Sequence, residues 1–281
     1  MATETAKQQK DHWSAEVYSA SASFVPKLAH KVLQYLEPQK SDKVLDIGCG
    51  DGKFTNNYMH SVGSVLGIDA SKSMIESATK DYGAANAKFR VIDCRYLRND
   101  QEVVNGTWDK VISNAALHWI LRDETTRISV LKAIYDCLAP TGSFVFEMGG
   151  HGNVSEVHTA LLAAVVQQGV SIQEARKASP WFFPSDTWMR KTLEDIGFHV
   201  DKLEVEYRPT QLTTDVNGGI EGWVRLMGAS MLEILEPGRR EAAIKQTCAL
   251  LESTITREED GSQWLGYVRL RGVVMKSKRP T

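Results

Sequence analysis

The sequence predicts an α/β fold in which helices cover both faces of a doubly wound, mostly parallel sheet. Apolar runs of strand length alternate along the chain with segments whose apolar residues recur at helical spacing. The first strand, residues 44–47, passes directly into a turn with glycine at positions 48, 50 and 52, and a helix begins at Lys53. This order of strand, glycine turn and helix lets the backbone approach a ligand closely and directs free N–H groups toward it.

Composition narrows the classes of partner. The chain has 281 residues and a formal net charge of −2, which argues against nucleic acid as a partner because such binding needs clustered Lys and Arg. Residues 1–10 are polar and lack the apolar region of a signal peptide, and no apolar run is long enough for a membrane span. The four cysteines form no CxxC pair, so neither a metal site nor a disulfide framework is predicted. We expect a cytoplasmic monomer that acts on a small molecule.

The elements around the glycine turn follow in order. A polar start, residues 1–11, precedes a helix-like segment with Trp13 and Tyr18, and a helix over residues 24–36 ends before Pro38. Further strands, with helices between them, are predicted over residues 64–68, 87–92, 108–113 and 143–148.

Polar side chains follow three of these strands. Asp69 ends the second strand, Asp93 follows the third and Asn114 follows the fourth. Because the carboxyl ends of parallel strands meet at one edge of the sheet, we expect these residues to line one ligand site. A carboxylate such as Asp69 offers two oxygens to the two hydroxyl donors of a ribose.

The glycine turn also identifies a family. Its spelling, Asp46-x-Gly48-x-Gly50-x-Gly52, differs from the GxGxxG of dinucleotide-binding dehydrogenases and resembles the first motif of class I S-adenosylmethionine (SAM) methyltransferases. The resemblance covers roughly residues 40–150 and implies a seven-stranded Rossmann-like sheet, SAM as the cofactor and S-adenosylhomocysteine as its product. By the same resemblance Asp46 holds the ammonium end of SAM, Asp69 its ribose and Asp93 its adenine amino group. The cofactor residues assigned in this way are Tyr18, Asp46, Gly48, Cys49, Gly50, Asp69, Ala70, Met74, Asp93, Cys94, Asn114 and Ala115.

The second half completes the sheet and carries the acceptor site. A sixth strand is predicted over residues 199–207 and a last strand over residues 267–275. We interpret the intervening residues 208–266, with residues 171–184, as a helical lid inserted before the last strand. This divides the chain into a SAM-binding core, residues 1–150, and a substrate-binding remainder, residues 151–281.

The lid is rich in aromatic residues and methionine, which either form its own core or line a pocket for a small molecule. The motif ALHW after the fourth strand and the motifs GWVR and WLGYVR in the lid resemble the trans-aconitate methyltransferase branch of the family. They also resemble fungal natural-product methyltransferases, such as the dithiol S-methyltransferase that acts on gliotoxin. The substrate residues assigned in this way are Trp13, Trp119, Trp181, Trp223, Arg225, Met227 and Trp264.

The acceptor atom is less well defined. His118 is the candidate catalytic residue, as a proton acceptor or a hydrogen-bond donor, although a buried histidine satisfied by the backbone fits the sequence equally well. Arg225 and Arg269 either clamp a carboxylate or pair with Glu221 and Glu206. The position after the fourth strand lacks the (D/N)PPY of enzymes that methylate planar nitrogens, and the Asp and Asn set of magnesium-dependent catechol enzymes is not found.

These observations leave a thiol, carboxylate or hydroxyl acceptor, and the apolar lid favours the thiol of a secondary metabolite. The alternatives are a carboxylate O-methyltransferase of the trans-aconitate type, a SAM-binding fold used without methyl transfer, and a nicotinamide-dependent dehydrogenase. Asp46, the glycine spacing and Asp93 argue against the last.

Overall fold

The computed structural model describes residues 30–213 and 218–277. Seven strands in this part of the chain form one sheet in the order β3-β2-β1-β4-β5-β7-β6, and only β7 runs antiparallel to its neighbours. This confirms the predicted doubly wound, mostly parallel sheet. The strands are β1 (Lys43–Ile47), β2 (Ser64–Asp69), β3 (Ala87–Val91), β4 (Trp108–Asn114), β5 (Leu138–Gly149), β6 (Phe198–Gln211) and β7 (Trp264–Lys276).

Helices connect the strands and cover both faces of the sheet. Two short 3-10 turns, Met59–Ser61 and Cys94–Asn99, lie between them, and no helix in the described ranges is both long and apolar enough to cross a membrane. The α-helices of the described part are α1 (His30–Leu36), α2 (Lys53–Asn56), α3 (Lys72–Tyr82), α4 (Leu117–Ile120), α5 (Arg127–Cys137), α6 (Ser155–Gln167), α7 (Ile172–Lys177), α8 (Asp186–Ile196), α9 (Gly219–Met227), α10 (Ala229–Leu232) and α11 (Pro237–Ile255).

The central strands are buried on both faces, which explains their apolar sequences. Residues 44–47 of β1 are all buried, as are residues 144–149 of β5. One charged residue, Glu147, lies inside the buried run of β5 and is 2% exposed. A carboxylate at such a position requires cationic partners, because an unpaired buried charge is strongly destabilising.

The β6–β7 hairpin is longer than predicted. Its pairing runs from Phe198↔Lys276 to Gln211↔Trp264, so the insertion begins after Gln211 and not at Arg208. Pro209 interrupts the sequence pattern but not the strand. Because β6 is at the edge of the sheet, the backbone nitrogen of proline, which has no hydrogen to donate, can face away from the neighbouring strand. The extension places Arg208 within β6, on the sheet.

The inserted helices α9, α10 and α11 pack against α6 and α7 and form a second hydrophobic cluster. This cluster is separate from the one beneath α5 and α8 on the sheet. The segment 178–184 runs along the edge of the inserted helices, where Trp181 and Phe183 pack against the second cluster. The lid therefore has a core of its own, built on α6.

Candidate active site

The glycine turn after β1 adopts a backbone that favours glycine. Gly48, Gly50 and Gly52 have φ angles of 72°, 55° and 80°. A Cβ atom added at Gly48 would overlap the Cβ of Ala116, whereas one added at Gly50 would meet nothing within 4 Å. The turn is thus packed against the β4–α4 loop at Gly48 and open at Gly50.

Asp46 is buried below this turn and is 1% exposed. Its Oδ2 accepts hydrogen bonds from the Thr55 hydroxyl and the Tyr58 hydroxyl, both at 2.7 Å. Its Oδ1 is also buried, and no residue in the described ranges donates to it. Burial, together with the nearby charge of Asp69, raises the pKa of Asp46 to about 6 despite the two hydroxyl donors. An acceptor of this kind fits a cationic donor.

A second buried acceptor lies on the neighbouring strand. The Oδ1 atom of Asn114, at the end of β4, has no donor among residues 30–213 and 218–277. Strand β4 pairs directly with β1, and the register sets Asp46 opposite Ile112. Ala115 follows with a φ of 57°, a left-handed conformation that is uncommon for a residue other than glycine and is often found at functional sites. Two buried acceptors without donors, on neighbouring strands, match an ammonium group, which has three N–H donors.

Asp69 lies at the tip of β2, as predicted. Its Oδ2 accepts from the Gly50 backbone N–H at 3.1 Å, and its Oδ1 accepts from the Ser71 backbone N–H at 2.9 Å. A carboxylate at this place beside the glycine turn is suited to accept hydrogen bonds from a pair of ribose hydroxyls. Ala70 follows, and Met74 is buried in the first turn of α3, whose N-terminus Ser71 caps.

Asp93 is occupied by its own neighbour. Its carboxylate forms a two-point ion pair with Arg95, with 2.5 Å between Oδ2 and Nη2 and 3.0 Å between Oδ1 and Nε. An adenine amino group can reach Asp93 only alongside this pair. Cys49 and Cys94 are both buried, and burial raises their thiol pKa values well above the usual range, so each contributes its backbone and an uncharged side chain.

A small cavity of about 50 Å³, partly open to solvent, adjoins this edge at Ala115. Aromatic residues and methionine form much of its wall, and two arginines, Arg208 and Arg269, also line it. Its lining residues are Ala115, His118, Trp119, Asn153, Val154, Trp181, Phe183, Arg208, Thr210, Trp223, Met227, Tyr267 and Arg269.

Trp181 is at the centre of the aromatic wall. Its ring centroid lies 5.9 Å from that of Phe183, 6.0 Å from that of Trp119 and 5.8 Å from that of Trp223. Trp223 in turn donates its indole N–H to the hydroxyl of Tyr267 at 2.7 Å. Because this indole already has a partner inside the wall, the face toward the cavity is apolar.

His118 lies in the same wall and is 7% exposed. Its Nδ1 accepts the backbone N–H of Gly149 at 3.3 Å, which places the imidazole proton on Nε2. Burial, and secondarily the charge of Arg269, holds the pKa of His118 well below its usual value. The side chain is therefore neutral near pH 7 and is a hydrogen-bond donor at Nε2.

Comparison with known proteins agrees with this geometry. A family model described as "Methyltransferase domain" matches residues 44–142. An uncharacterized methyltransferase of Schizosaccharomyces pombe is 36% identical over 270 residues, which cover 95% of this chain and 99% of that protein. The chain belongs to the SAM-dependent methyltransferases.

Two further likenesses are more distant. A malonyl-[acyl-carrier protein] O-methyltransferase of Priestia megaterium is 27% identical over 210 residues, covering 70% of this methyltransferase and 73% of the relative. The crystal structure of the YcgJ protein from Bacillus subtilis superposes with a TM-score of 0.61 at 16% identity, covering 89% of this chain and 97% of that one. At that identity the superposition supports the fold alone.

SAM supplies this methyltransferase with an electrophilic methyl group on a sulfonium. The residues suited to hold it are Asp46 and Asn114 at the ammonium group, Gly50 at the open turn and Asp69 at the ribose. Tyr18 and Trp13, which were assigned to the cofactor and the acceptor, lie outside the described residues.

Two predicted acceptor residues of the methyltransferase, Arg225 and Trp264, do not line this cavity. Trp223 and Met227 are four residues apart on α9 and share the face toward the cavity, so Arg225 between them is on the opposite face. There Arg225 pairs with Glu221 at 2.7 Å and Glu241 at 2.6 Å.

Trp264 also lies away from the cavity. Its indole N–H donates to the Ser262 hydroxyl at 2.7 Å, and the Arg257 guanidinium covers its ring, 4.0 Å from the centroid. Trp119, Trp181, Trp223 and Met227, which were also assigned to the acceptor, do line the cavity.

Arg269 was a predicted carboxylate ligand, whereas Arg208 and Glu147 were not predicted as site residues. Arg208 and Arg269 line the cavity. Both form ion pairs with Glu147, which is not among the lining residues. Burial opposes ionisation of Glu147, but Arg269, Arg208 and Arg271 outweigh it and lower the pKa of that carboxyl. A lone glutamate inside an otherwise apolar strand was the available signal, because such a residue must have cationic partners.

Proposed function

We propose that this methyltransferase transfers the methyl group of SAM to the carboxylate of a small molecule with an apolar body. The observation that carries the proposal is the pair of arginines, Arg208 and Arg269, in the wall of an aromatic cavity that adjoins the cofactor edge at Ala115. Guanidinium groups bind carboxylates with planar, paired hydrogen bonds.

The two kinds of lining residue, aromatic rings and arginines, suit the two parts of such an acceptor. The rings around Trp181 accommodate an apolar body, as is usual in pockets for small molecules. Arg269 is 4% exposed and Arg208 half-buried, so an anion beside them is poorly screened by water. Their contact with Glu147 fixes both guanidinium groups in position before an acceptor arrives.

The chemistry agrees with the state of His118. A carboxylate is already ionised near pH 7 and needs no base, whereas a hydroxyl acceptor needs one. His118 uses Nδ1 for the Gly149 N–H and carries its proton on Nε2, so it suits donation to an acceptor oxygen better than removal of a proton. Most of the acceleration then comes from alignment of the carboxylate oxygen with the methyl group and from exclusion of water.

The likeness to a malonyl-[acyl-carrier protein] O-methyltransferase supports transfer to oxygen. The thiol acceptor favoured by the lid composition stays a prediction, since aromatic walls suit apolar thiols as well.

The test is a transfer assay with methyl-labelled SAM, offered octanoate, trans-aconitate and a reduced aromatic dithiol in parallel. We expect label in octanoate, in a product that mild base hydrolyses as it does any methyl ester. Label found only in a base-stable thioether would overturn the proposal in favour of the thiol. Label confined to trans-aconitate would keep the carboxylate but exclude the apolar body.

A further inference from the structure

Asn153, in the loop between β5 and α6, lines the cavity and is 4% exposed. Its Oδ1 accepts the backbone N–H of Val268 on β7 at 2.9 Å. Because a backbone N–H can only donate, this contact identifies the oxygen of the amide and places the NH2 group on its other side. No residue in the described ranges accepts a hydrogen bond from this Nδ2, although buried side-chain donors normally have a partner.

The backbone around Asn153 holds the amide in place. The Asn153 N–H donates to the Gly150 carbonyl at 3.0 Å, and the Gly150 N–H donates to the Val268 carbonyl at 2.9 Å. The next residue, Val154, donates its N–H to the Gly266 carbonyl at 2.9 Å. These bonds tie the loop to β7, so the amide is oriented before an acceptor arrives.

His118 provides a second neutral donor close by. Its Nδ1 accepts the Gly149 N–H, and among residues 30–213 and 218–277 no group accepts from its Nε2. Gly149 adjoins Asn153 as well, since a Cβ atom added to this glycine would lie 2.9 Å from Nδ2 of Asn153. Arg269 is opposite Gly149 in the pairing of β5 with β7. Two neutral donors and a guanidinium group therefore meet around the end of β5.

Neutral donors suit both the substrate and the product of a carboxylate methylation. One carboxylate oxygen attacks the methyl carbon, the bond from that carbon to sulfur breaks, and SAM becomes S-adenosylhomocysteine. The negative charge of the carboxylate is lost, and its other oxygen becomes the carbonyl oxygen of the ester. An amide N–H and an imidazole N–H can donate to this oxygen before and after transfer, whereas a thiol sulfur is a weak acceptor.

We propose that Asn153 and His118 form a two-donor site, through Nδ2 and Nε2, for the carboxyl group of the acceptor. Asn153 is thereby a further acceptor-binding residue, and the site favours an oxygen acceptor over a thiol. This inference rests on the proposed carboxylate methylation and names the residues that orient its substrate.

The test uses octanoate and 2-nonanone, which share one apolar chain. A methyl group in the ketone replaces one oxygen of the carboxylate, so both ligands offer an acceptor oxygen but only octanoate is charged. Dissociation constants are measured by calorimetry on the full chain with S-adenosylhomocysteine present, so that binding is read without turnover.

Asn153→Asp is the main variant. It keeps the shape of the side chain and an oxygen for the Val268 N–H, but it replaces the amide donor with an acceptor. We expect it to weaken octanoate binding by about tenfold or more and 2-nonanone binding by about fivefold, because a hydrogen bond is lost to a charged and to a neutral acceptor, respectively. A negative charge that acts only at a distance would weaken octanoate binding alone.

The matched control is Asn105→Asp. Asn105 is exposed and does not line the cavity, and its Oδ1 accepts the Thr107 backbone N–H at 3.1 Å. Both dissociation constants should stay at their wild-type values in this variant. If Asn153→Asp does not fold, Asn153→Leu removes the amide at similar volume without adding a charge, and it should weaken the binding of both ligands.

Unchanged 2-nonanone binding in folded Asn153→Asp overturns the inference, as it does in Asn153→Leu if only that variant folds. A wild type that binds octanoate but not 2-nonanone overturns it too, because neutral donors accommodate a neutral carbonyl. Methyl transfer to octanoate is measured separately with labelled SAM. Absence of transfer together with weakened 2-nonanone binding would reject the proposed function and leave the two-donor site standing.

Discussion

Gly149 donates its backbone N–H to Nδ1 of His118, with 3.3 Å between the two nitrogens. This bond joins the end of β5 to α4 inside the cavity wall. It fixes the orientation of the imidazole and keeps the proton on Nε2. A histidine held in this way is a neutral donor, and its protonation would break the contact with Gly149.

The first prediction concerns stability and pH. Because the folded-state pKa of His118 lies well below its value in an unfolded chain, the unfolded chain takes up the proton first as pH falls. The contribution of neutral His118 to the free energy of unfolding is complete above about pH 6.5. It declines below that pH, by at most about 1.4 kcal/mol per pH unit. His118→Gln should reduce the change of the unfolding free energy with pH, measured by denaturant unfolding at pH 7, 6 and 5. The same substitution at exposed His199 is the control, and equal slopes in both variants would contradict the assignment.

A second prediction concerns cofactor affinity and Asp46. Its folded-state pKa is raised to about 6, so the carboxylate is largely ionised at pH 7 and largely protonated at pH 5. Only the ionised form attracts the ammonium group of the cofactor, which stays charged over this range because α-amino groups titrate at about 7.7 or above. The affinity for S-adenosylhomocysteine should therefore fall as pH drops below about 6, by up to about tenfold per pH unit. Calorimetry at pH 7, 6 and 5 tests this, and Asp46→Asn should bind weakly with a much flatter profile.

A third prediction uses two glycines of the same turn. Both have positive φ, which costs an alanine about 1–2 kcal/mol, but a Cβ at Gly48 also overlaps Ala116 whereas one at Gly50 meets open space. Gly48→Ala should therefore lower the melting temperature clearly more than Gly50→Ala. Gly50→Ala should keep the fold and weaken S-adenosylhomocysteine binding, because the added methyl group enters the open side of the turn. Equal effects on melting, or unchanged affinity in Gly50→Ala, would contradict this assignment of the turn.

A fourth prediction distinguishes Arg269 from Arg225, the two arginines that were predicted as carboxylate ligands. Arg269→Gln should raise KM for a carboxylate acceptor by about tenfold or more and change kcat less, because the charged hydrogen bond is made already in the ground state. Arg225→Gln, in a surface ion-pair cluster with Glu221 and Glu241, should leave both constants near the wild-type values. A loss confined to kcat in Arg269→Gln would indicate a role in the transition state instead.

The fold and the cofactor edge could be predicted because their signals are local. The glycine turn after Asp46 and the acids at positions 69 and 93 each occur at the end of a short apolar run, and parallel strands bring such ends together. The structure adds the side-chain contacts, which the pattern did not indicate. Asp93 is paired with Arg95, and the Oδ1 atom of Asn114 is a buried acceptor without a donor among the described residues.

The acceptor site was harder to predict because its polar groups meet over long sequence separations. Arg208 and Glu147 are 61 residues apart, and Arg269 is 122 residues from Glu147. Arg208 also lies just outside the predicted sixth strand, residues 199–207. Arg225 does not line the cavity, because a short motif does not reveal which face of its helix turns inward.

The lid has a consequence for redesign of the acceptor site. The chain enters and leaves the inserted helices at Gln211 and Trp264, which pair with each other at the end of the β6–β7 hairpin. These two positions are natural splice points for exchanging the insertion with that of a relative. The inserted helices share their hydrophobic cluster with α6, through residues such as Leu161 and Val165. A transplanted insertion should therefore fold only when α6 is transplanted with it, so the exchangeable unit is discontinuous in the sequence.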